Sequence, residues 1–239
     1  MMRALDRELL LEAWERGAAN LPIARPLALL ETADSSSKEV VGFADLSLAE
    51  RDARLFRLRQ MTFGDRMCGV LPCESCSARI EFDVSIEPIL NSMENSRSVS
   101  DASWPAGSFT FTMRPVTTRD LANIAAAADP RSELLQLCTS VEGADAAHAL
   151  AEHEDSALDH FEELNGNSET RFITTCAACG ESGHVDLDIG AFLWTEVRHA
   201  AITLLREVHE LASAYGWSEA QILGMSAARR ATYLEMAGS

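Results

Sequence analysis

The spacing of apolar and polar residues along this chain changes period several times, and each change marks an element. From Leu5 to Arg16, the residues Leu9, Leu10, Ala13 and Trp14 recur at helical spacing, and Gly17 supplies a stop. Arg25 to Ala33 reads as a second short helix, and Ser35, Ser36 and Ser37 mark a loop. A helix from Ser47 to Phe63 is signalled at both ends, by a Ser47–Glu50 capping box and by Gly64. From Ala78 to Ile86 the period drops to two. Ala78, Ile80, Phe82, Val84 and Ile86 fall on one side, with Arg79, Glu81, Asp83 and Ser85 on the other, which predicts a strand. Asn91 to Gly107 is rich in Ser, Asn and charge and reads as a loop, and Ser108 to Met113 as a short strand. Thr117 or Thr118 caps a helix to Ala128, ended by Asp129-Pro130 and resumed from Ser132 to Ser140. Gly143 to Glu163, rich in Ala and acids, reads as a weak or mobile helix. Arg171–Thr175 is a short strand, and His184–Ile189 alternates again. The longest predicted helix, Ala191 to Tyr215, carries Val197, Ala201, Leu204, Val208, Leu211 and Tyr215 in one stripe, and Gly216 ends it. Ser218 with Gln221, and then Ser226, cap two further short helices.

The cysteines give the strands a purpose. Cys73-x-x-Cys76 and Cys176-x-x-Cys179 each lead into a period-two strand. Two intervening residues let both thiolates of a pair point at one ion from a tight turn, and two such knuckles complete the tetrahedron that zinc prefers. Gly180 after the second pair allows the positive backbone angle that such a turn uses. The expectation is one structural zinc per chain, held by Cys73, Cys76, Cys176 and Cys179. Four sulfurs close the coordination shell and leave no place for a catalytic water. A redox C-x-x-C would sit at a helix start and need only one pair. Four unrelated cysteines are the plainer alternative. His184 is a weaker ligand candidate, because alternation turns it to the exposed side. Cys68 and Cys138 lack an x-x-C partner and read as core or half-buried thiols.

The fold class expected is mainly α with a small β zinc-ribbon-like element (α+β). Residues 1–70 form an N-terminal helical region, and 71–90 and 170–190 are the two halves of the ribbon. Residues 91–169 are an insertion, partly helical with a mobile acidic segment, and 191–239 are C-terminal helices. The two cysteine segments resemble each other as strand–knuckle–strand, while no repeat occurs at solenoid spacing.

Composition narrows the function. The chain has 239 residues, 47% of them hydrophobic, enough for a sizeable core. A formal net charge of -17 disfavours nucleic-acid or anionic-membrane partners, which need clustered cations. Lys38 is the only lysine. Met1 to Glu15 lacks the apolar run of a signal peptide, so a cytoplasmic location is expected. In that compartment cysteines are thiols or metal ligands. No Walker loop, G-x-S-x-G, H-E-x-x-H or dinucleotide fingerprint occurs, so no enzyme is expected. His148, His153 and His160 read as solvated, as do His199 and His209. Arg51, Arg54 and Arg57 recur every three residues on the third helix. They form either a face paired with the protein's own acids or a docking face for an acidic partner.

Four stretches carry a family resemblance. They are Leu11-Glu12-Ala13-Trp14-Glu15-Arg16-Gly17; Leu46-Ser47-Leu48-Ala49-Glu50-Arg51-Asp52-Ala53-Arg54-Leu55, running on to Leu58-Arg59 and Phe63-Gly64; the first C-x-x-C; and Asp188-Ile189-Gly190-Ala191-Phe192-Leu193-Trp194, continuing through Leu205-Arg206-Glu207-Val208-His209 to Ala214-Tyr215-Gly216-Trp217-Ser218-Glu219. In these the chain resembles the baseplate hub assembly chaperone family of T-even-type phages, whose relatives occur in contractile injection systems. Family members usually read Cys-Pro-x-Cys at each knuckle; here Pro72 precedes the first cysteine and Ala177 replaces the second proline. The resemblance implies a role in building the baseplate or hub of a contractile tail, with baseplate or hub proteins as partners and assembly in the cytoplasm. It leaves open whether the protein stays in the finished particle. The rival class is a nucleic-acid-associated zinc ribbon or transcription accessory factor. That class would want basic or aromatic ribbon strands.

Overall fold

Capping chemistry sets where most helices begin. The computed structural model describes residues 2–35, 42–95, 101–142, 146–166 and 170–238. Helix α1 (Arg7–Ala18) starts at Asp6, whose carboxylate accepts the Leu9 amide at 3.1 Å. Helix α2 (Arg25–Ala33) follows a short 3-10 turn and has Pro26 in its first turn. Helix α3 (Leu48–Phe63) carries the reciprocal Ser47–Glu50 box and stops at Gly64, φ +89°. Strands β1 (Arg66–Pro72) and β2 (Arg79–Ser85) form an antiparallel hairpin, and α4 (Ile86–Asn95) grows directly from its end. Next come β3 (Ala102–Ala106), β4 (Phe109–Met113), α5 (Thr118–Ile124), α6 (Pro130–Cys138) and β5 (Thr139–Val141). β4 is the middle strand of that three-stranded antiparallel sheet. Helices α7 (Ala146–Glu152) and α8 (Glu154–Asn165) precede the second hairpin, β6 (Thr170–Thr175) and β7 (Ser182–Leu187). The chain continues as α9 (Ile189–Tyr215), α10 (Glu219–Leu223) and α11 (Ala227–Ala237). Helices dominate, and among the described residues the strands form three small sheets, the α+β class read from the pattern.

Two hydrophobic cores organise these elements. The larger is built by α1, α2, α3 and α9, joined by Met67 of β1 and by Ile86 and Leu90 of α4. Leu193, Val197, Ala201 and Leu204 of the long stripe lie inside it, while Leu211 is buried further along the same face. Helices α1 and α9 pack closely at Gly17. A Cβ there would come within 2.2 Å of the Trp194 ring, so only glycine fits. The second core gathers Trp104, Phe111, Met113, Val116, Leu135, Cys138, Ala149, Leu150, Ala157 and Leu164. The two meet where two helix caps pair. Ser47 and Thr117, the N-caps of α3 and α5, form an isolated antiparallel bridge, and the Leu48 amide donates to the Val116 carbonyl at 2.9 Å.

Several boundaries differ from the expectations. β1 begins inside the region read as helical, because Met67 alone of its first residues turns into the core. The loop expected over Asn91–Gly107 contains the end of α4 and all of β3; residues 96–100 lie outside the described residues. Ile86, Ile89, Leu90 and Met93 supply the helical spacing that its polar composition masked. The second α-helix of the insertion ends at Cys138, and Thr139–Val141 turns into an edge strand beside β4. The expectation of a mobile acidic segment falls partly on residues 143–145 and 167, outside the described residues. Its described part forms α7 and α8, which bury Ala149, Leu150, Ala157 and Leu164. Ser36, Ser37 and Lys38 also lie outside the described residues.

Candidate metal centre

Each knuckle is made by a hairpin whose alternation points one face inward. On β1 and β2, Met67, Val84 and Phe82 face the interior while Arg66, Cys68, Glu81 and Asp83 face out. On β6 and β7, Phe172 and Val185 face in while Arg171, Ile173, His184 and Asp186 face out. The Phe82 ring stands 5.4 Å from that of Phe172 and 6.3 Å from that of Phe192 on α9. These ring contacts bring the hairpins together and dock them on the long helix. The sequence signal for this pairing is the period-two placement of Phe82 and Phe172, which local pattern alone does not join.

At the tips, the Cys73 amide donates to the Ala78 carbonyl and the Ser77 amide to the Cys73 carbonyl, both at 2.8 Å. The Cys176 amide donates to Glu181 and the Gly180 amide to Cys176, again at 2.8 Å. Gly180 sits at φ +75°, as its place after the cysteine pair suggested, and Ser77 holds the same left-handed turn at φ +61°. The four sulfurs converge: all lie within 4.8 Å of one another, with Cys73–Cys179 and Cys76–Cys176 at 3.7 Å. Cys73 and Cys176 are buried, Cys76 and Cys179 exposed. The spacing suits a metal. Zinc–sulfur bonds of ~2.3 Å in a tetrahedron imply sulfur–sulfur edges of about 3.8 Å.

The thiols divide in acidity. Amide hydrogen bonds from Cys179 and Ala178 pull Cys176 down to about 7. Cys179 accepts an amide hydrogen bond from Glu181 that works the other way, yet its sulfur neighbours Cys76, Cys176 and Cys73, with burial, push it up to about 12. Cys76 is likewise raised: the Ala78 amide lowers it, but burial and the sulfurs of Cys176 and Cys73 outweigh that. One thiolate therefore forms readily and its neighbours resist a second charge, the situation a divalent cation relieves.

The other candidate residues are placed as follows. His184 lies outward, paired across the hairpin with Ile173, and is not among the converging groups. Cys138 is buried, but Cys68 is exposed, its thiol donating to Asp83 at 3.3 Å; β1's outer face accounts for the difference. His148 is exposed, whereas His160 and His153 depart from the solvated expectation. His160 stacks on Trp104 at 4.1 Å, and His153 packs edge-on to Phe111 at 5.8 Å, because α8 lies across β3 and β4. Asp188 caps α9, accepting the Ala191 amide at 2.9 Å. Among the three arginines, Arg51 pairs with Asp52 at 2.7 Å and donates to Thr118 at 3.1 Å, and Arg57 pairs with Glu94. Arg54 is half-buried and forms no ion pair among the described residues. No helix of the described residues is long and apolar enough to cross a membrane. No family model, curated protein or solved structure matches this chain.

Proposed function

We propose that this chain is a non-enzymatic interaction protein, clasped by one structural zinc ion, that serves as a component or assembly chaperone of the baseplate or hub of a contractile tail. The observation that carries the metal part is the convergence of four sulfurs from cysteines 100 and 106 residues apart in sequence. A tetrahedral all-sulfur donor set favours zinc or iron over harder cations. Cys73, Cys76, Cys176 and Cys179 would hold the ion, which supplies cross-linking and charge neutralisation. Four protein ligands leave it no open position for substrate. Elemental analysis of protein purified without chelator is expected to find about one zinc per chain. A well-folded chain without metal would overturn the assignment.

Support for the contractile-tail role is the resemblance carried by the Arg-Asp-Ala-Arg helix and the Tyr-Gly-Trp-Ser-Glu turn, now seen as α3 and the α9–α10 junction. An acidic surface would keep a basic or aggregation-prone partner soluble and steer its approach. The ribbon itself does not favour phosphate: Arg66 pairs with Asp83 and Arg171 with Asp186. Deleting the gene is expected to abolish or misassemble the baseplate while tube and sheath proteins are still made. Normal numbers of active particles from the deletion strain would remove the assembly role and leave the zinc-clasped interaction protein.

A further inference from the structure

One constant shift in residue number carries the first hairpin onto the second. Met67–Val84 becomes Thr170–Leu187, Val70–Glu81 becomes Ile173–His184, and Pro72–Arg79 at the tip becomes Thr175–Ser182. The same shift maps Cys73 onto Cys176 and Cys76 onto Cys179, matching buried with buried and exposed with exposed. It maps both tip hydrogen bonds of the first knuckle onto those of the second, and Ser77 onto Gly180, the two positive-φ positions. It maps Val70, 49% exposed, onto Ile173, 70% exposed. It maps Ile86, the buried first residue of α4, onto Ile189, the buried first residue of α9. The contacts across the site obey the exchange too. Cys73–Cys179 maps onto Cys176–Cys76, and both are 3.7 Å.

We infer that the metal centre is a pseudo-twofold pair of interchangeable half-sites, each able to complete its tetrahedron with the same half-site of a second copy of this chain. The inference rests on the zinc assignment above. Its physical basis is that no strand ladder joins the hairpins: they are separate two-stranded sheets that meet through sulfur and ring contacts. An ion reads the positions of four sulfurs and not the chain that carries them. The backbone is equivalent but the inward side chains are not: Met67–Val84 becomes Thr170–Leu187, and Leu71–Ile80 becomes Thr174–Gly183. Gly69 lies under the Phe82 ring, whereas Phe172 stands opposite Val185. Between two copies of the second hairpin, Phe172 of one meets Val185 of the other where the intact chain has Phe82. That apolar contact supports self-pairing of the second hairpin, the half-site that keeps its cysteines when the first pair is removed.

The test is a Cys73→Ser/Cys76→Ser chain titrated with cobalt(II) alone. The tetrathiolate cobalt absorption is expected to saturate at one ion per two chains, with the sedimenting mass doubling and returning on chelation. Saturation at one ion per chain without a mass change overturns the inference. So does the absence of tetrathiolate absorption from a chain whose circular dichroism matches wild type. Should that chain not fold, a variant with exchanged tips decides: Glu74→Ala, Ser75→Ala, Ser77→Gly and Ala78→Glu together with Ala177→Glu, Ala178→Ser, Gly180→Ser and Glu181→Ala. It is expected to bind one cobalt per chain within about threefold of wild-type affinity, and a loss of about tenfold or more overturns interchangeability. A wild-type chain that takes no metal would instead defeat the zinc assignment itself. Wild type taking one ion while the variants fail removes the half-site inference alone.

Discussion

At the scale of single residues, the two knuckles offer a controlled comparison. Ser77 and Gly180 occupy the same left-handed turn, a conformation costing a side-chain-bearing residue ~1 kcal/mol or more. Gly180→Ala is therefore expected to lower stability by about 1 kcal/mol, and Ser77→Gly to be neutral or mildly stabilising, as read by urea denaturation of the metal-bound protein. Cys73→Ser, in a chain too dilute to pair with a second copy, is expected to lose the ion and the fold of the ribbon together, because the two stabilise one another. Metal affinity should fall as pH falls, since Cys179 and Cys76 are held protonated above the usual thiol range and must release their protons to bind. Calorimetry in buffers of different ionisation enthalpy is expected to show at least about two protons released per ion at neutral pH. The four converging cysteines were legible because C-x-x-C spacing is local chemistry. The positive φ at Ser77 was not, because serine announces no such turn. Beside the second core, Asp120 is buried yet accepts from both Arg114 guanidinium nitrogens, at 2.6 and 2.8 Å, and from the Thr117 amide at 2.9 Å. Burial alone would raise its pKa, but Arg114 and Thr117 prevail and hold it below the usual carboxylate range. The stability it contributes is thus present above that range and lost as pH falls through the depressed value. Asp120→Asn is expected to cost about 2 kcal/mol at pH 7 and to flatten the acid limb of the stability curve.

At the scale of elements, what was legible followed periodicity and caps. The ends of α3, the start of α9's apolar stripe and the caps at Ser218 and Ser226 are written in residues that touch their own helix. α4 and β3 escaped because the window Asn91–Gly107 that they share is mostly polar, and the partners of the apolar residues that decide burial lie far along the chain. The arginine face of α3 shows the same limit. Spacing sets the three side chains on one helix, but Thr118 and Glu94, which engage Arg51 and Arg57, come from α5 and α4. Replacing all three arginines with Glu is expected to lower the melting temperature by several degrees, chiefly through Arg51. That residue sits beside the buried Asp52, whose carboxyl is raised by burial and lowered only in part by Arg51. A melting curve recorded beside a partner pull-down separates this from a docking role: unchanged stability with lost binding would restore the face to the partner.

At the scale of the whole molecule, the second core takes all its buried members from between Trp104 and Leu164, and none of them is a proposed metal ligand. Chelation is therefore expected to expose the ribbon and the β1 and β6 amides while leaving those of β4 and α8 protected. Hydrogen exchange followed by mass spectrometry checks this, and equal loss in both regions would show that the cores are one cooperative unit. The separation of the knuckles also bears on synthesis. The first knuckle leaves the ribosome with two thiols, and its partner lies 100 residues further on. At roughly 5–20 residues per second, several seconds pass before the tetrahedron has its second pair. In that interval the intervening core can form from its own residues, drawing the chain ends at Asp101 and Thr170 towards the places the hairpins need. The clasp then closes only after the intervening core has had time to form, and the nascent protein spends its most oxidation-sensitive moments with Cys73 and Cys76 uncoordinated.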